Sequence, residues 1–419
     1  MPFAMRRLVV LSLHTSPLAQ PGTGDGGGMN VYVRELSAAL AHAGVVCDVF
    51  TRSDDPAQPD VVEVEPGFRL HHVVAGPQAP LPKGALHAFV GSFTDAVEAR
   101  LSAYADDEPD APEAIHANYW LSGVAGHALK HRLGLPLVST FHTLERVKAE
   151  ASPEEIDPDD PELRARSESE VIGCSDAVLA SCEAEASQLV ELYGADRARI
   201  EIIAPGVDHA FFSPGDKAQA RRAIGAEGEG PLLVFVGRIQ PLKGVEIAVQ
   251  ALAQVADRSC RLLVIGGPSG PHGEEEVRVV HRLVERLGLG GRVLFMPPQR
   301  HEALSTFYRA ADVCVVPSMS ESFGLVALEA AACGTPVVAS AVGGLTSLVE
   351  EGVSGYLVEP RDVDGFAQRL DLLVGDDLAA TAMGGAGAER ALAYTWPAAA
   401  SSLHRLYDEI TAKSLVECR

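Results

Sequence analysis

Aromatic residues make up only 5% of this 419-residue chain, so its cores must be built mostly from Ala, Val and Leu. Cysteine is sparse as well. Cys47, Cys174, Cys182, Cys260, Cys314, Cys333 and Cys418 contain no C-x-x-C pair, and seven is an odd number. Both features argue against a disulfide framework or zinc knuckle and for a reducing, cytoplasmic setting. Long apolar runs are missing: none approaches the roughly 20 residues of a membrane span. Arg6-Arg7 followed by Leu8 to Leu13 imitates a signal peptide, but His14 stops the run after about six residues, and it is read as a first buried strand. Basic charge is the last shortage. With 34 Lys and Arg against 57 Asp and Glu, the formal net charge is −23, which speaks against nucleic acid or an anionic membrane as the main partner. Small anions stay open, because screening over roughly 8 Å lets a local cation cluster decide.

What is present is globular: 47% hydrophobic and 22% charged residues. At roughly 150 residues per domain, the length implies two or three domains. Short apolar β-rich runs alternate with Ala/Leu/Glu helical patterns throughout, the signature of parallel sheets covered on both faces. Strands are expected at 7–13, 45–51, 68–74, 113–116, 136–140, 177–181 and 200–203, and then at 231–236, 261–265, 292–295, 313–316, 336–339 and 355–358. The glycine-bearing stretch Asp208–Gly230 reads as the seam. The expected plan is an α/β chain of two Rossmann-like domains facing a central cleft, 1–207 and 208–395. A helical segment, 396–419, is free to pack on either domain. Ser152–Pro161 reads as an acidic solvated loop. Ligands of such sheets bind at the carboxyl ends of the strands.

Three segments at those ends carry chemistry. The loop after the first strand runs from His14 through Gln20 and Pro21 to Gly22-Thr-Gly-Asp25-Gly26-Gly27-Gly28-Met29-Asn30, where successive glycines let backbone amides approach a ligand ahead of a helix. Residues 22–27 also satisfy G-x-G-x-x-G, with Asp48 about twenty residues on, which keeps a dinucleotide oxidoreductase open; the eight residues between strand and motif weigh against it. In the second segment, Arg238 and Lys243 leave a strand and enter a helix, a placement suited to phosphate. In the third, Glu321 lies before a helix and Glu329 within it. Eight residues at about 1.5 Å rise allow up to roughly 12 Å between them, too far to share one reacting bond as paired glycosidase carboxylates do at roughly 5 Å. The bland reading of that pair is a capping acid and an exposed one. A fourth, dispersed set comprises Lys83, Tyr119, His142, Thr143 and Arg164. No metal constellation is expected: the D-x-D pairs Asp157/Asp159 and Asp362/Asp364 fall in the acidic loop and a polar turn, and no H-x-x-x-H pair on a helix is expected among the fourteen histidines.

Together these segments resemble the retaining glycosyltransferases of the GT-B fold, the family that includes sucrose-phosphate synthases, bacterial glycogen synthases and inositol-phosphate glycosyltransferases. The R-x(4)-K of Arg238/Lys243 and the E-x(7)-E of Glu321/Glu329 carry the family likeness. Leu13-His-Thr-Ser-Pro, Gly27-Gly-Met-Asn-Val-Tyr32 and Tyr119-Trp-Leu-Ser-Gly123 bring it close to the inositol-phosphate branch. The resemblance implies transfer of a sugar, N-acetylglucosamine from UDP-N-acetylglucosamine, onto a small phosphorylated acceptor such as 1D-myo-inositol 3-phosphate. Arg238 and Lys243 would bind the diphosphate, Glu329 the ribose, Glu321 and His142 the donor sugar, and the Gln299 backbone the base, with Gln20, Pro21 and Gly28 also on the donor. Lys83, Tyr119, Thr143 and Arg164 would hold the acceptor phosphate, and His14 with Asp25 to Asn30 the acceptor ring. No cofactor is required for the chemistry; a structural Mg2+ at Tyr308, Arg309, Ala311 and Thr335 is implied by the family only. A homodimer is left open. Two departures, the segment around Lys83 and Asn118 where the branch carries His, leave open a paralogue for another cyclitol, hexose phosphate or natural product. A sugar-nucleotide epimerase and a non-enzymatic sugar-nucleotide-binding regulator also stay open.

Overall fold

The computed structural model describes residues 6–102, 111–151, 162–226, 228, 230–269 and 273–418. The chain forms two compact units. The first comprises residues 1–19, 28–204 and 396–419, the second 20–27 and 205–395.

The first unit is built on β1 (Arg7–Leu11), β2 (Val46–Arg52), β3 (Val61–Glu65), β4 (Phe68–Val73), β5 (Ala114–Asn118), β6 (Leu137–Thr140), β7 (Ala177–Ala180) and β8 (Ile200–Ile202). They lie in the order β3-β4-β2-β1-β5-β6-β7-β8. All neighbours are parallel except β3, which pairs antiparallel with β4 at the edge. The Leu8–Leu11 run is fully buried between β2 and β5. Helices α1 (Gly28–His42), α2 (Val90–Ser102), α3 (Trp120–Leu133), α4 (Glu145–Ala151), α5 (Leu163–Cys174) and α6 (Glu183–Tyr193) connect the strands. The apolar strands and helix faces close one core around Phe50, Phe93, Leu121 and Phe141.

The second unit has six parallel strands, β9 (Leu232–Val236), β10 (Arg261–Ile265), β11 (Val293–Met296), β12 (Val313–Val316), β13 (Val337–Ser340) and β14 (Gly355–Val358), in the order β11-β10-β9-β12-β13-β14. Helices α7 (Lys217–Ala223), α8 (Val245–Gln254), α9 (Gly273–Arg286), α10 (Leu304–Ala310), α11 (Leu325–Ala332), α12 (Leu345–Leu348), α13 (Val363–Val374) and α14 (Asp377–Ala391) belong to it. In both sheets the order reverses beside the first strand, β1 or β9, and such a reversal opens a binding crevice at the strand ends.

Two features depart from a simple division at residue 207. Residues 20–27 group with the second unit: Gln20 Nε2 donates to the Gln299 carbonyl at 2.6 Å, and a Cβ on Gly22 would stand 3.1 Å from Pro298. At the other end, α15 (Trp396–Thr411) groups with the first unit. Trp396 packs edge-on against Tyr32 of α1, and the Tyr407 hydroxyl meets buried His116 Nδ1 at 2.8 Å. Among the described residues no helix is long and apolar enough to cross a membrane. The expectation against a disulfide framework needs correction at one pair, because the structure joins Cys174 and Cys418. The partners are 244 residues apart in sequence, so no spacing could have announced them. The acidic loop 152–161, with Asp157 and Asp159, lies outside the described residues.

Candidate functional site

In the second unit, β9 delivers Val236 to Gly237 and Arg238, and a 3-10 turn, Pro241–Lys243, leads into α8. Lys243 Nζ meets Glu321 Oε2 at 2.6 Å, and the Ser318 hydroxyl donates to the same oxygen at 3.3 Å. Both members of the ion pair are about a fifth to a quarter exposed. The Glu321 backbone is clasped by the turn after β13: the Gly344 amide donates to its carbonyl at 3.0 Å. Gly343, at φ 44°, comes so close that a Cβ would lie 1.9 Å from that carbonyl oxygen. Arg238 Nη1 donates to Ser269 Oγ at 3.1 Å, and its guanidinium lies beside Gly27, whose Cβ would stand 3.5 Å from Arg238 Nε. Gly26 folds tightly under Gln20, with a Cβ position 2.7 Å from the Gln20 carbonyl. These backbone approaches explain the glycine run without the dinucleotide pattern. Asp48 also removes that alternative. It is fully buried and already bound by Arg69, bidentate at 2.9 and 3.0 Å, and by His71 at 2.7 Å, so it is out of a ribose's reach.

Glu329 has a different environment from Glu321. It sits in α11, almost completely buried, and receives His301 Nε2 at 2.7 Å and the Tyr308 hydroxyl at 2.9 Å. Burial first and the Glu329 charge second push the Tyr308 phenol well above its ordinary pKa, so it stays a donor. A buried carboxylate is tolerable only when so paired. The reading of Glu329 as an exposed acid is therefore excluded. His301 and Tyr308 lie 28 and 21 residues from Glu329, so no local spacing announces them as its partners. The Gln299 carbonyl accepts Gln20, while the Gln299 side chain turns back to the Pro297 carbonyl. Pro21 is half-buried in the same loop.

The magnesium set does not fit its ion. The Tyr308 carbonyl accepts from both the Ala311 amide, at 3.0 Å, and Thr335 Oγ1, at 2.7 Å, which occupies its two lone pairs. Arg309 is a cation whose Nε donates to the Ser213 carbonyl, and none of the four residues supplies a carboxylate, the usual ligand. Asp362 caps α13 through the Gly365 amide, and Asp364 accepts from Gln254.

In the first unit, Lys83, Tyr119, Thr143 and Arg164 converge. Tyr119 follows β5 with φ 76°, a costly conformation for a bulky side chain. The Lys83 ammonium stands 4.4 Å from its ring centroid and the Arg164 guanidinium 4.8 Å. Arg164 also donates to the Tyr119 hydroxyl at 3.1 Å and to Thr143 through its carbonyl, 2.7 Å, and Oγ1, 3.0 Å. Glu168, at 2.7 Å, and Glu145, at 3.1 Å, anchor the guanidinium from behind. Burial works to raise the Tyr119 pKa, but the Arg164 and Lys83 charges prevail and the net shift is downward. Burial likewise opposes the Arg164 charge, and Tyr119, Glu168 and Glu145 together outweigh it, so its pKa is raised.

His14 packs on the other reach of Tyr119, ring centroids 4.3 Å apart. Behind it, His142, at φ 61°, donates from Nε2 to Asn118 Oδ1 at 2.9 Å. Burial, reinforced by neighbouring His116, depresses the His142 pKa to about 3. It is therefore neutral at working pH, and the Asn118 contact fixes its tautomer. The glycine-rich loop is divided: Asp25, Gly26 and Gly27 group with the second unit, whereas Gly28, Met29 and Asn30 open α1 of the first. Buried Asn30 ties the loop back, donating to Thr15 Oγ1 at 2.8 Å and the Ser16 carbonyl at 2.6 Å. These two bonds use both hydrogens of its amide nitrogen.

Comparison with known proteins gives these geometries a family. Residues 27–206 match the model of the glycosyl transferase 4-like domain and residues 216–390 that of glycosyl transferases group 1. A D-inositol 3-phosphate glycosyltransferase of Kribbella flavida is 45% identical over 99% of this chain and 98% of its own length. One from Mycolicibacterium smegmatis is 46% identical over 93% and 88%. Among solved structures, the sucrose-phosphate synthase of Thermosynechococcus elongatus superimposes with a TM-score of 0.89 at 36% identity, covering 97% of this chain and 99% of that one. Two parallel-sheet units matched in this way make the chain a glycosyltransferase of the GT-B fold. It belongs to the family of the D-inositol 3-phosphate glycosyltransferases.

Proposed function

We propose that the protein transfers N-acetylglucosamine from UDP-N-acetylglucosamine to 1D-myo-inositol 3-phosphate with retention of configuration. The observation that carries the acceptor reading is the Lys83–Tyr119–Thr143–Arg164 cluster. Two cations and two hydroxyls gathered on rigid elements suit a phosphate monoester, because charge-assisted hydrogen bonds to phosphate are the strong ones. The names of the curated relatives favour the same acceptor. In the second unit, Arg238 and Lys243 answer the donor diphosphate. Buried Glu329, braced by His301 and Tyr308, presents a fixed carboxylate to the ribose hydroxyls. Glu321 aligns Lys243 and takes the sugar hydroxyls.

The chemistry follows from that division of labour. An acceptor hydroxyl oxygen forms the new bond to the anomeric carbon as the bond from that carbon to the diphosphate oxygen breaks. The acceptor proton passes to the departing diphosphate, and both events occur on one face of the sugar, which retains configuration. Charge grows on the leaving phosphate, and Arg238 and Lys243 stabilise it where it develops, the electrostatic contribution that is usually largest. Neutral His142 offers a hydrogen bond without adding positive charge beside an electron-poor sugar carbon. No side-chain nucleophile is called for, in keeping with Glu321 and Glu329 each having its own partners.

The test is incubation with UDP-N-acetylglucosamine, with and without the acceptor, followed by mass spectrometry of UDP and product. Acceptor-dependent UDP release with a glycosylated inositol phosphate is expected, with the α-linkage read by nuclear magnetic resonance. An isomerised UDP-sugar without acceptor would replace the reading by an epimerase. Turnover of a hexose phosphate instead would redirect it toward the chemistry named for the sucrose-phosphate synthase.

A further inference from the structure

One cluster in the first unit takes no part in this chemistry. His127 and His131 stand four residues apart on α3, which corrects the expectation of no H-x-x-x-H pair on a helix; residues i and i+4 share a helix face. Cys174 ends α5, and Cys418 arrives from the segment after α15. The four ligand atoms all lie within 4.8 Å of one another. His131 Nε2 is 3.0 Å from Cys418 Sγ and His127 Nε2 is 3.4 Å from it. Cys174 is buried, whereas His131 and Cys418 are exposed, so an ion can reach the group from solvent.

We propose that, with the Cys174–Cys418 pair reduced, His127, His131, Cys174 and Cys418 bind one thiophilic divalent cation, Zn2+, in a tetrahedral two-nitrogen, two-sulfur site. Zn–N bonds of about 2.0–2.1 Å and Zn–S bonds of about 2.3 Å place tetrahedral ligand atoms roughly 3.3–3.8 Å apart, the scale of this cluster. Mixed imidazole and thiolate ligands select zinc over magnesium or calcium. A disulfide alone needs neither imidazole, and its sulfurs are weak acceptors; two ring nitrogens gathered beside the two sulfurs put four ligand atoms around one point, as a shared ion requires. The scaffold that gathers the four is also independent of the S–S bond. Asp176 Oδ1 accepts the Val416 amide at 2.7 Å, while buried Lys130, between the two histidines in sequence, donates to the Cys174 carbonyl at 2.7 Å and to Asp176 Oδ2 at 2.8 Å.

Disulfide and metal site are mutually exclusive states of the same sulfurs. Reduction breaks the S–S bond with two electrons and two protons, giving two thiols; a phosphine reductant supplies the electrons and leaves as its oxide, taking its oxygen from water. Zn2+ then binds the four lone pairs as the two thiol protons are released.

The experiment uses the full chain reduced with tris(carboxyethyl)phosphine, loaded with Zn2+, desalted and analysed for metal by mass spectrometry. Parallel Co2+ loading reports geometry through tetrahedral d–d bands and thiolate-to-cobalt charge transfer. One equivalent of zinc and both cobalt signatures are expected. His127→Ala/His131→Ala should retain the disulfide when oxidised, by intact mass, yet lose zinc affinity by more than the roughly 10–100-fold that loss of an outer-shell partner costs. Cys418→Ser, altered only in the exposed tail, should lose the charge-transfer band's full intensity together with tight binding. Zinc uptake by reduced wild type no greater than by Cys418→Ser, or a cobalt spectrum unchanged in the double histidine variant, overturns the proposal.

Discussion

Lys83→Ala separates recognition from architecture more cleanly than any other change in the acceptor cluster. Lys83 opens a 3-10 turn and is half-buried, and its ammonium rests on the Tyr119 ring. Removing that contact costs about 0.5–1 kcal/mol of stability, which in a unit of this size shifts Tm by at most about 2–4 °C. Arg164 and its two carboxylates are left intact. If Lys83 binds the acceptor phosphate, a charge-assisted hydrogen bond of about 1.5–3 kcal/mol disappears with it, and kcat/KM for inositol 3-phosphate should fall about 10- to 150-fold. The same constant for unphosphorylated inositol should hold steady, so the preference between the two acceptors collapses. Steady-state kinetics on both acceptors, with a thermal melt of each protein, provide the readout. A preference that survives the substitution refutes the phosphate assignment, and a large fall in Tm refutes the claim that Lys83 is structurally dispensable.

Lys243→Ala should lower kcat by about 10²–10³, while stability changes little, because partly exposed ion pairs contribute about 0–1 kcal/mol; an equal loss in melting temperature would make the lysine structural. His116 and His142, both depressed to about 3 by burial, bind protons in the unfolded chain near pH 6.5 but not in the folded one. Stability should therefore rise with pH between about 3 and 6.5 and be lost on acidification, at up to about 1.4 kcal/mol per pH unit for each group. Urea titrations at pH 7 and pH 5 test this, and replacing His142 by Asn should flatten the slope. Tyr407→Phe leaves His116 Nδ1 without its 2.8 Å partner and should destabilise the first unit by about 1–3 kcal/mol, measurable in the same titrations.

The strands were legible because parallel, doubly covered sheets demand continuous apolar runs, and Leu232–Val236 or Val337–Ser340 can hardly be anything else. Val61–Glu65 escaped notice. Its Val-Val-Glu-Val-Glu pattern belongs to a half-exposed edge strand, which lacks the continuous signal. Helix α5 was hidden because it buries polar groups, Ser167 and Glu168, as well as apolar ones. Helix α7 begins inside the stretch read as a seam, held by Asp216 at its cap. At the sites, residue types and positions at strand ends could be read locally. Pairings such as Glu329 with His301 and Tyr308, Asp48 with Arg69, or His142 with Asn118 are decided by packing between elements far apart in sequence. The glycine-rich loop illustrates the limit best: its composition was plain, but its partition between the two units was not.

The return of α15 to the first unit has a consequence for how the protein is made. Residues 205–395 form an uninterrupted stretch of the second unit, whereas the first must wait for Trp396 to reach Tyr32 and Tyr407 to reach His116. During synthesis the early-emerging sheet therefore leaves the ribosome with part of its cover still to be translated, although domains ordinarily fold in the order they emerge. The first unit is completed after the second, and translation that stops in α14 would leave its α1 face exposed as a ready target for chaperones and proteases.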